Sequence, residues 1–275
     1  MSLSIQPLGP GAIASVTQPT SLRQVALDQA APSNAASSVQ MTALPAIPPD
    51  PRTTNPAFFQ ALSISAKMSS DLSNVADALV STMQDVVMQR PDLATATFDF
   101  QSDQGSIKVV SDSLSDQDKA WLQNELNANQ NLVNAVQAFH DDATKSYGLW
   151  AEVDGNPIGK AGIDQVSSQA DSRFSFMSMF KQASQQMLKG MDPNGSYYTS
   201  NGAPMDFHQA VDSPLSFLVF QKSAQAVEDG TNTYVTSAGN TYYGELRGNL
   251  FSAPGVIPDF KPSMSSRALV LDEMA

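Results

Sequence analysis

Met68, Leu72, Val75, Leu79, Met83 and Val86 recur at steps of four and three along the chain. That spacing holds them on one face of a helix with 3.6 residues per turn and on neither face of a strand, so it requires an amphipathic helix. The stripe stops at Arg90-Pro91. Proline lacks the N–H donor and disfavours the α region at the residue before it. Two start signals lie upstream. Asn55-Pro56 sets a cap residue before a proline at the first helical position, with Phe58, Phe59, Leu62 and Ile64 following, and Ser70-Asp71 offers a second start.

Beyond the stripe, Thr97-Phe98-Asp99-Phe100-Gln101 and Ser106-Ile107-Lys108-Val109-Val110 alternate around Ser102-Asp103-Gln104-Gly105, which predicts a hairpin with Phe98, Phe100, Ile107 and Val109 inward. Ser115-Asp116-Gln117-Asp118 reads as a capping box with Asp in place of Glu. Trp121, Leu122 and Leu126 follow on one helical face, and Asn127-Ala128-Asn129 breaks or bends the helix. Leu132, Val136, Phe139 and Ala143 continue at helical spacing to Tyr147-Gly148, where glycine fits the position just past a helix end. Leu149 to Val153 reads as a short strand closed by Asp154-Gly155-Asn156-Pro157.

A helix over about 171–189 carries Phe174, Met177, Phe180, Ala183 and Met187, and Lys189-Gly190 closes it. Ser213-Pro214 opens another, with Leu215, Leu218, Val219, Lys222 and Ala226 near one face and Asp229-Gly230 at its end. Thr231 to Leu246, rich in Thr, Tyr and Val around Ala238-Gly239-Asn240, predicts a second hairpin.

The ends differ from this body. Residues 1–54 are dominated by Pro, Ser, Ala, Thr and Gln, and only Arg23, Asp28, Asp50 and Arg52 are charged. Too few apolar groups are present to offset the ordering entropy, so the segment is read as disordered. The fold class expected is therefore α+β and mainly helical: amphipathic helices packed with one or two β-hairpins, a disordered segment over 1–54, a folded domain over 55–251 with a subdivision near 154–162, and a loose tail over 252–275 with a turn of helix near 267–274.

The formal net charge is −12, from 15 Lys+Arg against 27 Asp+Glu, and the basic residues are scattered singly. Nucleic acid is bound through clustered Lys and Arg, so it is excluded as a partner, and anionic membrane surfaces are disfavoured for the same reason. The chain has 0 cysteines, which removes disulfides, thiolate metal sites and cysteine nucleophiles. No stretch approaches the roughly 20 apolar residues of a transmembrane helix, and residues 1–22 lack the basic and apolar regions of a cleavable signal peptide.

Several local patterns carry residues of the types that chemistry uses. Gly155-Asn156-Pro157-Ile158-Gly159-Lys160-Ala161 falls one residue short of a phosphate loop and has Ala161 where a hydroxyl is required, so it reads as a turn. Asp192-Pro193-Asn194-Gly195-Ser196 has its glycine at the fourth position instead of the sixth and Ala203 where a calcium loop needs Glu. His140, followed by Asp141 and Asp142, and His208, between Asp206 and Asp212, both read as exposed helix residues paired with a carboxylate. Phe174, Phe176, Met177, Met179, Phe180 and Met187 read as a helix buried on several sides, with an adaptable partner-binding face as the alternative. Tyr197, Tyr198, Tyr234, Tyr242 and Tyr243 read as strand composition, with a polar ligand groove as the alternative. No residue is assigned to catalysis, to a cofactor or to a metal.

Residues 1–22 carry no charge and mix Ser2, Ser4, Ser15, Thr17, Thr20 and Ser21 with Ile5, Leu8, Ile13, Val16 and prolines. This resembles the export signal of proteins secreted by bacterial type III systems, and the cysteine-free, acidic, Ser/Gln/Asn/Ala-rich body is similar to harpins and other exported proteins of that pathway. The resemblance is compositional. It implies secretion without a cleavable signal peptide and an effector-type role in virulence. The visible strands and aromatic content depart from harpins. The function expected is a non-enzymatic secreted or interaction protein that binds a protein partner. A soluble cytoplasmic hydrolase built from Asp residues and His208 is one alternative. A structural or assembly component, with the Met68–Val86 stripe as a helix–helix seam, is the other.

Overall fold

One long helix, α1 (Pro56–Gln89), runs unbroken for 34 residues in the computed structural model, which describes residues 55–262. At 1.5 Å per residue it is about 50 Å long. Asn55 accepts from the Ala57 N–H at 2.9 Å and Pro56 fills the first turn, so the helix starts where the cap signal places it. The second start, at Ser70-Asp71, lies inside the helix. The apolar stripe continues across it, and the buried Asp71 is held by Lys67 one turn earlier at 3.2 Å. Leu72, Val75, Leu79, Met83 and Val86 are 0% exposed and form the centre of the core.

A two-stranded hairpin follows. β1 (Asp99–Asp103) pairs antiparallel with β2 (Ser106–Val110), and Phe98, Phe100, Ile107 and Val109 are buried as expected. The turn is tighter than Ser102–Gly105: only Gln104 and Gly105 intervene, at φ 51° and 85°. Two consecutive positive φ values match the right-handed strand twist, which is why glycine occupies the second position. Ser115 caps α2 (Asp116–Ala128), accepting from the Asp118 N–H and donating to the Asp118 carboxylate.

Asn129 ends α2 and caps α3 (Gln130–Val153). α3 lies antiparallel along α1. At one end Asn129 donates to the Ala78 carbonyl and the Thr82 hydroxyl; at the other, Phe58 meets Trp150 edge-on with centroids 5.9 Å apart. The Met68–Val86 stripe is therefore spent within the chain, and it offers no seam to a second copy.

The strand expected over 149–153 is the last turn of α3, and Gly148 does not end that helix. A Cβ at Gly148 would lie 3.2 Å from Ile163 Cδ1 on α4 (Lys160–Arg173), so the glycine serves the close approach of these two helices. α4 begins inside the 154–162 stretch read as a subdivision and runs on through residues for which no element was expected, and the single helix expected over 171–189 is two. The chain breaks at Phe174-Ser175 before α5 (Phe176–Gly190). Phe174 is extended there because its ring is buried edge-on against Phe139 and Phe260, at 5.1 and 5.4 Å. Phe176, Met177, Met179 and Phe180 are all buried, which makes α5 a core helix and leaves Met187, half-buried, as its one methionine within reach of a partner.

β3 (Ser196–Tyr198) follows the Asp192–Gly195 turn, and α6 (Pro214–Glu228) opens with a reciprocal Ser213–Ser216 capping box. The buried face of α6 is Phe217, Phe220, Ala224 and Val227. Leu215 and Lys222, expected near that face, are exposed. β4 (Thr233–Val235) and β5 (Thr241–Tyr243) form the second hairpin and join β3 in an antiparallel sheet of order β3-β4-β5.

The tail expected to be loose from residue 252 is seated as far as Phe260. Val256 is buried, and the Phe260 ring sits against Tyr147 at 5.0 Å. The architecture is α+β and mainly helical, with one continuous core from Met68 to Val256. The expectations for residues 1–54 and for the helical turn near 267–274 fall outside the described residues.

Candidate interaction surface

The two histidines do not meet. His140 is buried instead of exposed, because its position on α3 turns it toward α4. Its Nε2 lies 3.0 Å from the Ser167 carbonyl and 3.3 Å from Asp171, and its Nδ1 lies 3.4 Å from Asp141. His208 is exposed in an irregular segment. Residues 206–212 are not helical, so His208 and Asp212 are not one turn apart; Asp206 instead accepts from the His208 backbone N–H at 2.8 Å.

The other patterns resolve into local structure. Residues 154–159 form the loop into α4, with Gly155 at φ 75°. The Asp192 carboxylate accepts from the Asn194 N–H and from the Tyr234 hydroxyl, so its oxygens are occupied by the turn itself. Among the described residues no group of three or more His, Asp or Glu side chains is placed to hold a metal ion.

One cleft near the first hairpin holds polar side chains. It encloses about 400 Å³ between Asp99, Ser111, Ser178, Lys181 and Val211. Asp99 accepts from the backbone N–H groups of Phe100, Met177 and Ser178 and from the Ser178 hydroxyl, at 2.6–3.0 Å. Burial pushes its carboxyl up, and those bonds pull against the rise. With both oxygens committed to the first turn of α5, Asp99 works as a helix cap that ties β1 to α5. Val211 beside it is buried at φ 50°, an uncommon value for a β-branched residue. It stands where the chain folds back so that the Phe98 N–H reaches the Asp212 carbonyl and the Leu215 N–H reaches that of Ala94.

The β3-β4-β5 sheet is the more exposed feature. Tyr197, Tyr234 and Tyr242 stand opposite one another on successive strands. Their rings stack, with centroids 4.7 and 6.0 Å apart and planes within 21° and 24°. The Asp192–Gly195 turn supports the stack: a Cβ at Gly195 would lie 2.1 Å from Tyr234 Cε2, so only glycine fits. The hydrogen bond to Asp192 is the first cause that pushes the Tyr234 phenol up to about 12; burial and the Asp192 charge add to it, and Glu245 contributes last. The tyrosines are thus strand residues, as their composition suggests. What the composition does not reveal is that Tyr242 and Tyr243 remain 47% and 80% exposed at the free side of β5.

The other strand edges are covered. Asn127 on α2 accepts from the Ile107 N–H and donates to its carbonyl, and Gln123 accepts from the Val109 N–H, so two side chains act as a partner strand for β2. β1 lies against α4 and α5, bound through Gln101 to Ser175 and through Asp99 to Ser178. On β3, Tyr198 bridges to Pro204 and Tyr197 accepts from the Met205 N–H. Among the described residues nothing comparable lies along β5. No family model, curated protein or solved structure matches the chain.

Proposed function

We propose that the protein is a non-enzymatic exported protein, a substrate of a type III-like secretion pathway, that acts by binding a protein partner. Support for the binding role comes from one observation: the edge of β5, with two exposed tyrosines, is uncovered among the described residues, while the other strand edges are met by side chains, by helices or by the 203–205 backbone. An uncovered edge presents backbone donors and acceptors to an incoming chain. Support for export comes from the charge-free residues 1–22 and the cysteine-free body, which needs no oxidation to refold.

Export is tested by fusing residues 1–54 to a reporter in a secretion-competent bacterium. The fusion is expected in the medium of the competent strain and absent when the secretion machinery is deleted. Equal export without the machinery, or none in its presence, overturns the export role.

A further inference from the structure

We infer that β5 accepts an extended segment of a partner protein as a fourth strand, and that this segment carries an aromatic residue flanked by lysine or arginine. The inference deepens the partner-binding half of the reading above and is independent of export.

The hydrogen-bond pattern fixes which groups of β5 are free. The Thr236 N–H donates to the Asn240 carbonyl and the Gly244 N–H to that of Asn232, at 2.9 and 2.7 Å. Antiparallel strands alternate bonded and non-bonded pairs. Asn240, Tyr242 and Gly244 therefore point their backbone groups at β4, while those of Thr241 and Tyr243 point away from the sheet. A strand added there gains bonds to both residues without disturbing β4.

The side chains set what that strand carries. Opposite Tyr242 it would form a non-bonded pair, the kind in which side chains approach most closely. The stack of Tyr197, Tyr234 and Tyr242 ends at a half-exposed ring, and an aromatic residue in the next strand, about 4.8 Å on, continues it.

Charge sets the flanks. Asp192 accepts from the Tyr234 hydroxyl, Glu245 is exposed two residues past the end of β5, and the whole chain carries −12, so cationic residues are favoured on either side of the aromatic. Arg247, the basic residue on this side, is turned back against the Gly230 and Gly244 backbone. The same charges disfavour a second copy, which would bring another Asp192 and Glu245 to the edge. A strand of three residues, about 10 Å long, is also too short an edge to build by itself the roughly 1,200 Å² interface of a stable dimer.

The test uses the isotope-labelled full chain and a blocked heptapeptide, Lys-Val-Thr-Tyr-Thr-Val-Lys. Binding is expected to saturate below about 1 mM and to slow amide exchange at Thr241 and Tyr243 about tenfold, leaving Tyr242 unchanged. Methylating alternate backbone nitrogens of the peptide abolishes binding, a control that needs no change to the protein. Tyr243→Pro, which removes an outward N–H and an exposed ring while leaving the bonds to β4 in place, is expected to lose binding at an unaltered melting temperature; Tyr243→Thr, which removes the ring and keeps the N–H, is expected to retain it. A peptide with Glu in place of both Lys is expected to bind at least about tenfold more weakly.

Absence of saturation, or equal binding by the methylated peptide, overturns the strand-addition inference. Equal binding by the Glu peptide overturns its cationic part. Thr241 and Tyr243 amides already protected in the free chain would show the edge to be covered by the protein itself. A concentration-dependent dimer abolished by Tyr243→Pro would make a second copy the occupant. Either result overturns the inference as stated.

Discussion

Asn232 holds Leu246 by both sides of its backbone: its side-chain amide donates to the Leu246 carbonyl while its carbonyl oxygen accepts from the Leu246 N–H at 3.0 Å. The same amide donates to the Ala226 carbonyl near the end of α6, and the residue is 0% exposed. One side chain thus pins the return of the second hairpin to α6. Asn232→Ala leaves these backbone groups buried without partners, at about 1–3 kcal/mol for each unsatisfied group. A loss of roughly 3 kcal/mol is expected, read as a lower urea midpoint with an unchanged slope. Asn232→Asp, the same shape without the donor, is expected to lose a comparable amount.

Gly195→Ala is a second test, aimed at the tyrosine stack. With a Cβ 2.1 Å from Tyr234 Cε2, the ring must leave its place between Tyr197 and Tyr242 and release Asp192. The expected cost is about 1–3 kcal/mol, accompanied by loss of near-ultraviolet circular dichroism from the stacked tyrosines. An unaltered spectrum would show that the turn does not depend on glycine.

The plug on β2 can be pulled in the same way. Asn127→Ala frees the N–H and C=O of Ile107. A loss of about 1–2 kcal/mol and faster amide exchange at Ile107 are expected, with Val109 less affected because Gln123 still holds it.

Glu228 predicts a pH dependence. It accepts from the Ser73 hydroxyl at 3.0 Å, but burial, with Asp77 and Asp229 nearby, raises its pKa above the ordinary 4.5. A carboxyl whose pKa is higher when folded stabilises the fold only while protonated. Its contribution is present below pH 4.5 and is lost as pH rises through the folded value. Glu228→Gln keeps the bond to Ser73 and removes the charge. The variant is expected to melt higher than the native chain at pH 7, with the difference vanishing below about pH 4. A constant difference at both pH values would contradict the assignment.

The helical stripe of α1, both hairpins and the caps at Asn55, Ser115 and Ser213 were legible because each is written in adjacent residues. Apart from α4, the misreadings share one physical origin: the deciding contact lies far along the chain. Gly148 has the local signature of a helix end, and only Ile163 across the interface shows that it is a packing glycine. α4 buries little beyond Val166 and Ala170, so its apolar pattern is too thin to announce a helix. His140 sits beside two aspartates and looks solvated until α4 brings Ser167 and Asp171 to it. The tyrosines announced strands, but which edge stays open depends on β3 pairing with β4 across a whole helix.

The order in which the core is completed bears on synthesis. α1 is translated first, yet its stripe is sealed only once α6 and the segment carrying Phe251 and Val256 have left the ribosome. Until then α3 covers only part of the stripe, and the faces that meet α6 and Phe251 stay open, an exposure of apolar surface that invites holding by chaperones and delays the final collapse until after elongation.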